Sequence, residues 1–233
     1  MDEIRHIAQQ HDIKLIEDCA HAHGAKMRSE NCGNMSIAGA FSFYATKVMT
    51  SAEGGMVTTN DENIAQKVKI IRNCGRAGYG PLAISDLGFN YRLSELHGVV
   101  GLNQFSHLDD FIKQRNQMAA LYTDLLSEID WITPQLVQQN NYSSYYAYIV
   151  KLQNNAPFSR DELIEKLAKQ GVMTSILYHP AHLQMFYQSW FNNYPPKLPI
   201  AEDLGRNSFA LPLHNGLSLD DIHYVVGVIN KLS

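Results

Sequence analysis

The chain is poor in features that mark several protein classes. Its three cysteines, Cys19, Cys32 and Cys74, form no C-x-x-C pair and no even set, which argues against a disulfide framework and suits a reducing compartment. Charged residues make up 18% of the chain, the net charge is −4, and no long run carries one sign. A nucleic-acid binder needs a basic face, and none is evident. No apolar run approaches the roughly 20 residues of a membrane-spanning helix. The opening Met1-Asp2-Glu3-Ile4-Arg5-His6 lacks the basic and then apolar pattern of a secretory leader. These absences predict a soluble, cytoplasmic protein with no nucleic-acid or membrane partner. The segment Gly75-Arg76-Ala77-Gly78-Tyr79-Gly80 lacks the Lys-Ser/Thr ending of a nucleotide-phosphate loop. Cys19, His21, His23 and Cys32 are metal-ligand types, but the tight spacings of zinc sites are missing, so no metal is expected.

What is present is a chain of 233 residues, 45% hydrophobic, long enough for a sizeable core in one or two domains. A first helix is expected within residues 1–11, with Ile4, Ile7 and Ala8 on one face. Strands are expected at 13–18, 40–45 and 55–59, then a helix over 61–73 opened by Asp61. Gly75, Gly78, Gly80, Pro81 and Gly88 mark a long loop at 75–90, followed by one long or kinked helical stretch to about residue 128. Beyond it, a strand over 145–152 precedes a capping box, Ser159-Arg160-Asp161-Glu162, which opens a helix over 160–169. Gly171 ends that helix; a strand at 172–177, an irregular aromatic and proline-rich segment at 179–200, and a last helix from Ser218 follow. The pattern reads as α/β, divided into units 1–128 and 129–233.

The residues with chemical potential cluster early. An apolar run ends in Glu17-Asp18, followed by Cys19-Ala20-His21-Ala22-His23-Gly24, and the run Phe41-Ser42-Phe43-Tyr44 leads to Lys47. An acid at one strand end and a lysine after the next is the pairing a pyridoxal phosphate enzyme needs. The lysine bonds the cofactor, and the acid keeps the pyridine nitrogen protonated so that the ring accepts electrons. Each residue also has a plainer reading. Asp18 suits loop amides, Ser42 a backbone carbonyl, Lys47 open solvent, and His21 and His23 partly exposed loop positions.

Taken together, Asp18-Cys-Ala-His21-Ala-His-Gly24, Phe41-Ser42-Phe43-Tyr44-Ala-Thr-Lys47, Glu53-Gly54-Gly55-Met56 and Gly88-Phe-Asn90-Tyr91-Arg92-Leu93 resemble the DegT/DnrJ/EryC1/StrS family of sugar aminotransferases. The resemblance continues through Arg160-Asp-Glu-Leu163 and Leu211-Pro-Leu-His214. It implies a fold-type I arrangement, here the C-terminal part of the large-domain sheet plus a small α/β C-terminal domain. It also implies pyridoxal 5'-phosphate as cofactor, with Lys47 bonded to it, Asp18 on the pyridine nitrogen, His21 near the phenolic oxygen and Ser42 on the phosphate. Asn90 would reach the phosphate of a neighbouring subunit in a homodimer with shared active sites, while Arg92 is structural. Tyr178 and His182, in a loose match to a substrate-side segment, are candidates for sugar contact. The substrates implied are an amino acid, typically glutamate, and a nucleotide-linked keto-deoxysugar. The family's early glycine-Ser/Thr phosphate turn and its ring-stacking aromatic have no counterpart here. The alternative is a catalytically incomplete homologue that dimerises or regulates.

Overall fold

The computed structural model describes residues 1–80, 83–191 and 194–232. Pro81, expected within the 75–90 loop, and residues 192 and 193, expected within the irregular segment, lie outside the described residues. In chain order the helices are α1 (Asp2–Gln10), α2 (Glu62–Arg72), α3 (Glu95–Ser106), α4 (Leu108–Leu126), α5 (Arg160–Lys169), α6 (Met185–Trp190), α7 (Pro199–Asn207) and α8 (Leu219–Leu232). The strands are β1 (Ile16–Asp18), β2 (Lys26–Met27), β3 (Glu30–Asn31), β4 (Ala38–Ser42), β5 (Gly55–Thr58), β6 (Ile132–Pro134), β7 (Asn141–Tyr142), β8 (Tyr148–Leu152) and β9 (Ser208–Leu211). They divide between two compact units, one of residues 1–113 and 137–146, the other of residues 114–136 and 147 onward. Among the described residues no helix is long and apolar enough to cross a membrane.

The first unit is built on the sheet β1-β4-β5. β1 and β4 run parallel, with Ile16 opposite Ala38 and Asp18 opposite Ala40, while β5 returns antiparallel along β4. A parallel pair brings both carboxyl ends to one side, so the loops after Asp18 and Ser42 share a rim. The middle of β1 turns Glu17 inward, where its carboxylate accepts from the Gly33 and Met35 backbone N–H groups, both at 2.8 Å, and from Ser36 Oγ at 3.1 Å. That loop lies flat on β4 because two glycines meet. A Cβ on Gly39 would stand 2.5 Å from Gly33 Cα.

Two expected strands are shorter or shifted. The strand expected at 13–18 begins at Ile16, because the Ile13 N–H turns back to the Ala8 carbonyl and closes the end of α1. The strand expected at 40–45 lies at Ala38–Ser42, because Phe43 already anchors the next loop. The region expected as a polar loop after Gly24 contains β2 and β3, which with the distant β7 form an antiparallel sheet β3-β2-β7. The single long helical stretch is two helices, with His107 as the C-cap of α3. Ser94 caps α3, yet none of that helix's side chains is buried, and Leu96, Val99, Leu102 and Phe105 are exposed.

The second unit holds the antiparallel sheet β6-β8-β9. Tyr148, Val150 and Leu152 alternate into its core, joined by Leu163 and Leu167 of α5 and Ile222, Val226 and Ile229 of α8. The capping box of α5 forms as expected. Three expectations need correction. β8 begins at Tyr148 rather than Tyr145, whose backbone is left-handed with φ +44 and so leaves the extended region. The strand expected at 172–177 reduces to one bridge, Ser175 with Ala210, since only Ser175 exchanges hydrogen bonds with β9. The segment expected to be irregular at 179–200 contains a 3₁₀ turn (Ala181–Leu183), α6 and the start of α7, where Pro199 takes the first helical position that proline tolerates.

Candidate active site

The rim formed after β1 and β4 is held by backbone hydrogen bonds before any side chain is considered. Phe43 closes the neck of the loop that carries Lys47. Its N–H donates to the Gly54 carbonyl, and its own carbonyl accepts from the Ser51 N–H and from Thr50 Oγ at 3.0 Å. The Lys47 N–H donates to the Tyr44 carbonyl in a turn, and the following Val48 and Met49 are buried. Lys47 therefore stands on a loop fixed at both sides. On the other loop, Asp18 ends β1 exposed, with Oδ1 accepting the Ala20 N–H at 3.0 Å. Ser42 ends β4, and its Oγ accepts the Tyr44 N–H at 3.4 Å.

His21 links these groups. Its imidazole stacks on the Tyr146 ring, with centroids 3.9 Å apart and planes inclined by 11°. Lys47 Nζ lies 5.0 Å from the centre of the same Tyr146 ring. Burial holds the His21 pKa below its usual value, the Lys47 charge adds to that effect, and the Asp18 charge opposes it. The imidazole thus lies within the fields of both the acid and the amine. Asp18, His21, Ser42 and Lys47 all belong to one rim of the first unit.

The remaining expected residues are placed differently. Asn90 is exposed, bridges Asn73 through its backbone, and accepts from Arg92 Nε at 2.9 Å. Arg92 thus orients the Asn90 side chain. In the second unit, Tyr178 is exposed, whereas His182 is buried with Nε2 3.4 Å from Glu202 Oε1.

Three residues near the rim escaped the sequence reading. His23, expected to be partly exposed, is only 2% exposed; it lies between the Phe41 and Phe43 rings, with Nε2 2.8 Å from the Ser42 carbonyl. The turn at Gly24, φ +67, accompanies this, and a Cβ there would strike Ile112 Cδ1 at 2.3 Å. Burial lowers the His23 pKa, the Ser42 hydrogen bond opposes this, and the Lys47 charge adds to the lowering. Glu17 carried one signal, a carboxylate inside the expected strand, where a buried charge needs partners. Its neighbour Cys19 is buried, and that burial, followed by the Glu17 charge, pushes the thiol up to about 12. Tyr146 lies about a hundred residues from Lys47 in sequence and carried no local signal.

Comparison with known proteins agrees with this architecture. Residues 1–230 match the DegT/DnrJ/EryC1/StrS aminotransferase family. GDP-perosamine synthase of Caulobacter vibrioides is 30% identical, over all of this chain and 62% of that protein. A pleiotropic regulatory protein of Geobacillus stearothermophilus is 35% identical, over 97% of this chain and 60% of that protein. Helicobacter pylori PseC, an aminotransferase involved in the biosynthesis of pseudoaminic acid, superposes with a TM-score of 0.92 at 26% identity, over 99% of this chain and 62% of PseC. The chain spans 62 to 63% of the length of the first curated relatives it matches. With its parallel β1–β4 pair, the antiparallel β5 beside it and this agreement along almost all of its length, the chain has a fold-type I architecture and belongs to the DegT/DnrJ/EryC1/StrS aminotransferase family.

Proposed function

We propose that this chain serves a pyridoxal phosphate-dependent transamination, in which an amino group passes from an amino acid, glutamate being the expected donor, to the keto group of a nucleotide-linked deoxysugar. The observation that carries this reading is the gathering of Lys47 and His21 on one aromatic ring, with Asp18 close enough for its charge to act on His21. The sugar-aminotransferase names of GDP-perosamine synthase and PseC support the substrate class.

The donor set fits the cofactor. A carboxylate, an imidazole, a hydroxyl and an amine on one rim match a pyridine nitrogen, a phenolic oxygen, a phosphate and an aldehyde in turn. When bound, the cofactor supplies a carbonyl for an amine and a ring that takes up the electron pair of the substrate carbon. Asp18 holds a proton on the ring nitrogen by charge pairing. His21, whose pKa burial lowers, orients the phenolic oxygen, and Ser42 Oγ donates to a phosphate oxygen. Lys47 Nζ holds the cofactor and then moves a proton as general base and acid. Asn90 extends to the phosphate in a neighbouring copy, so that the working form is a homodimer with shared sites, located in the cytoplasm. Tyr178, exposed in the second unit, and His182, buried beside Glu202, are the proposed sugar contacts.

A second reading, a homologue that dimerises or regulates without turnover, is favoured by the name of the Geobacillus relative, a pleiotropic regulatory protein. One experiment separates the two. The purified chain is mixed with pyridoxal phosphate, its absorbance followed, borohydride added and the peptides mapped by mass. Transamination predicts a visible band and a label concentrated on Lys47, both absent in Lys47→Ala, and amino transfer from glutamate to a keto-sugar nucleotide. Label scattered over many lysines, with no band, contradicts the first reading.

A further inference from the structure

The segment that ends at Tyr146 is fastened to the rim at three places. β7 pairs with β2, Lys26 standing opposite Tyr142. Ser144 is buried and its Oγ donates to the His21 backbone carbonyl at 2.6 Å. The Tyr145 N–H donates to Ser143 Oγ at 3.0 Å, and with φ +44 this residue turns the chain so that the next ring lies flat against His21. The Tyr146 hydroxyl is 3.4 Å from Thr46 Oγ, on the loop that carries Lys47. One side chain thus meets His21 through its face, Lys47 through its π-system and the Lys47 loop through its hydroxyl.

We propose that Tyr146 is a positioning residue for the site, holding the His21 imidazole in one plane and giving the Lys47 ammonium an aromatic face to rest on. The inference rests on the proposed function for its purpose, although the contacts belong to the protein itself. A stacked ring at 3.9 Å fixes the imidazole plane and covers one side of it from water. An ammonium 5.0 Å from a ring centre is attracted by the ring's negative face. Lys47 would otherwise be a flexible four-carbon chain, and this resting place keeps its amine at the rim. Among the described residues, the charges of Lys47 and Asp18 act on His21, and His23 lies near enough for the two imidazoles to interact.

The test needs no turnover. In NMR spectra of the cofactor-free full chain, the His21 ring protons, assigned through His21→Gln, are expected upfield of the other histidines because of the Tyr146 ring current. Tyr146→Leu should remove that shift and move the His21 titration midpoint, while Tyr146→Phe, which keeps the ring, should retain both. Borohydride trapping of pyridoxal phosphate at Lys47 should fall roughly threefold to tenfold in Tyr146→Leu and stay near the parent level in Tyr146→Phe. His21 protons without an upfield shift in the parent protein would overturn the stack even if the Leu variant cannot be prepared. Equal trapping in the Leu variant would overturn the role toward Lys47. A parent protein that shows the ring-current shift but traps no cofactor at Lys47 would leave the stack standing and count against the proposed function alone.

Discussion

His23 lies between two phenylalanine rings, so a proton on it would place a charge where water does not reach. Its pKa is below 6.5 in the folded chain, with burial as the main cause, and His21 is shifted the same way. A group whose folded pKa is depressed binds more protons when unfolded, so its stabilising contribution is present above pH 6.5 and is lost as pH falls through the folded value. Urea midpoints measured at pH 7.5 and 5.0 should therefore drop at the lower pH, and His23→Phe, which cannot titrate, should show a smaller drop. An equal drop in both would remove His23 from the account. Glu17 offers a second case. Glu17→Gln would turn an acceptor oxygen into an amide donor facing a backbone N–H, and a loss of about 1–3 kcal/mol in urea unfolding is expected. The sequence singled out Asp18, Ser42 and Lys47, whose roles are those proposed above, because each is a reactive residue type at or shortly after the end of a strand pattern. Glu17 and His23 were not, since their partners lie 16 to 19 residues away and only folding brings them together.

Elements defined by neighbouring residues were the readable ones. The Ser159–Glu162 box fixes the start of α5 through contacts three residues apart. Ser159→Ala should lower the urea midpoint by the equivalent of about 1 kcal/mol. The sheet β3-β2-β7 left no comparable trace. Its strands are two residues each, too short for alternation to register, and β7 comes from a distant part of the chain. The short helices between 181 and 207 were hidden for another reason, because proline and aromatic residues read as loop composition while Pro199 was opening a helix. The contact between Gly33 and Gly39 is an element-level constraint that Gly39→Ala should expose. A Cβ 2.5 Å from the facing Cα forces the loop off β4, and a loss of about 1–3 kcal/mol is expected. Unchanged thermal unfolding of that variant would show that the loop gives way without cost.

For the molecule as a whole, the order of motifs made the fold class readable, whereas the division of the chain was less so. α3 exposes Leu96, Val99, Leu102 and Phe105, an apolar surface that single chains rarely leave to water. Under the homodimer proposal it is covered by a second copy, so sedimentation should give a dimer mass that Leu96→Glu with Leu102→Glu shifts toward monomer. A monomer in the parent protein at micromolar concentration would refute that assignment. The boundary between the two units is crossed at 113/114, 136/137 and 146/147, since residues 137–146 return to the first unit after the chain has left it. Recombination between homologous genes therefore cannot exchange one unit through a single breakpoint. A chimera joined once within α4 would inherit Lys47 from one parent and Tyr146 from the other, so the lysine and the ring facing it are free to drift apart in descent unless selection keeps them matched.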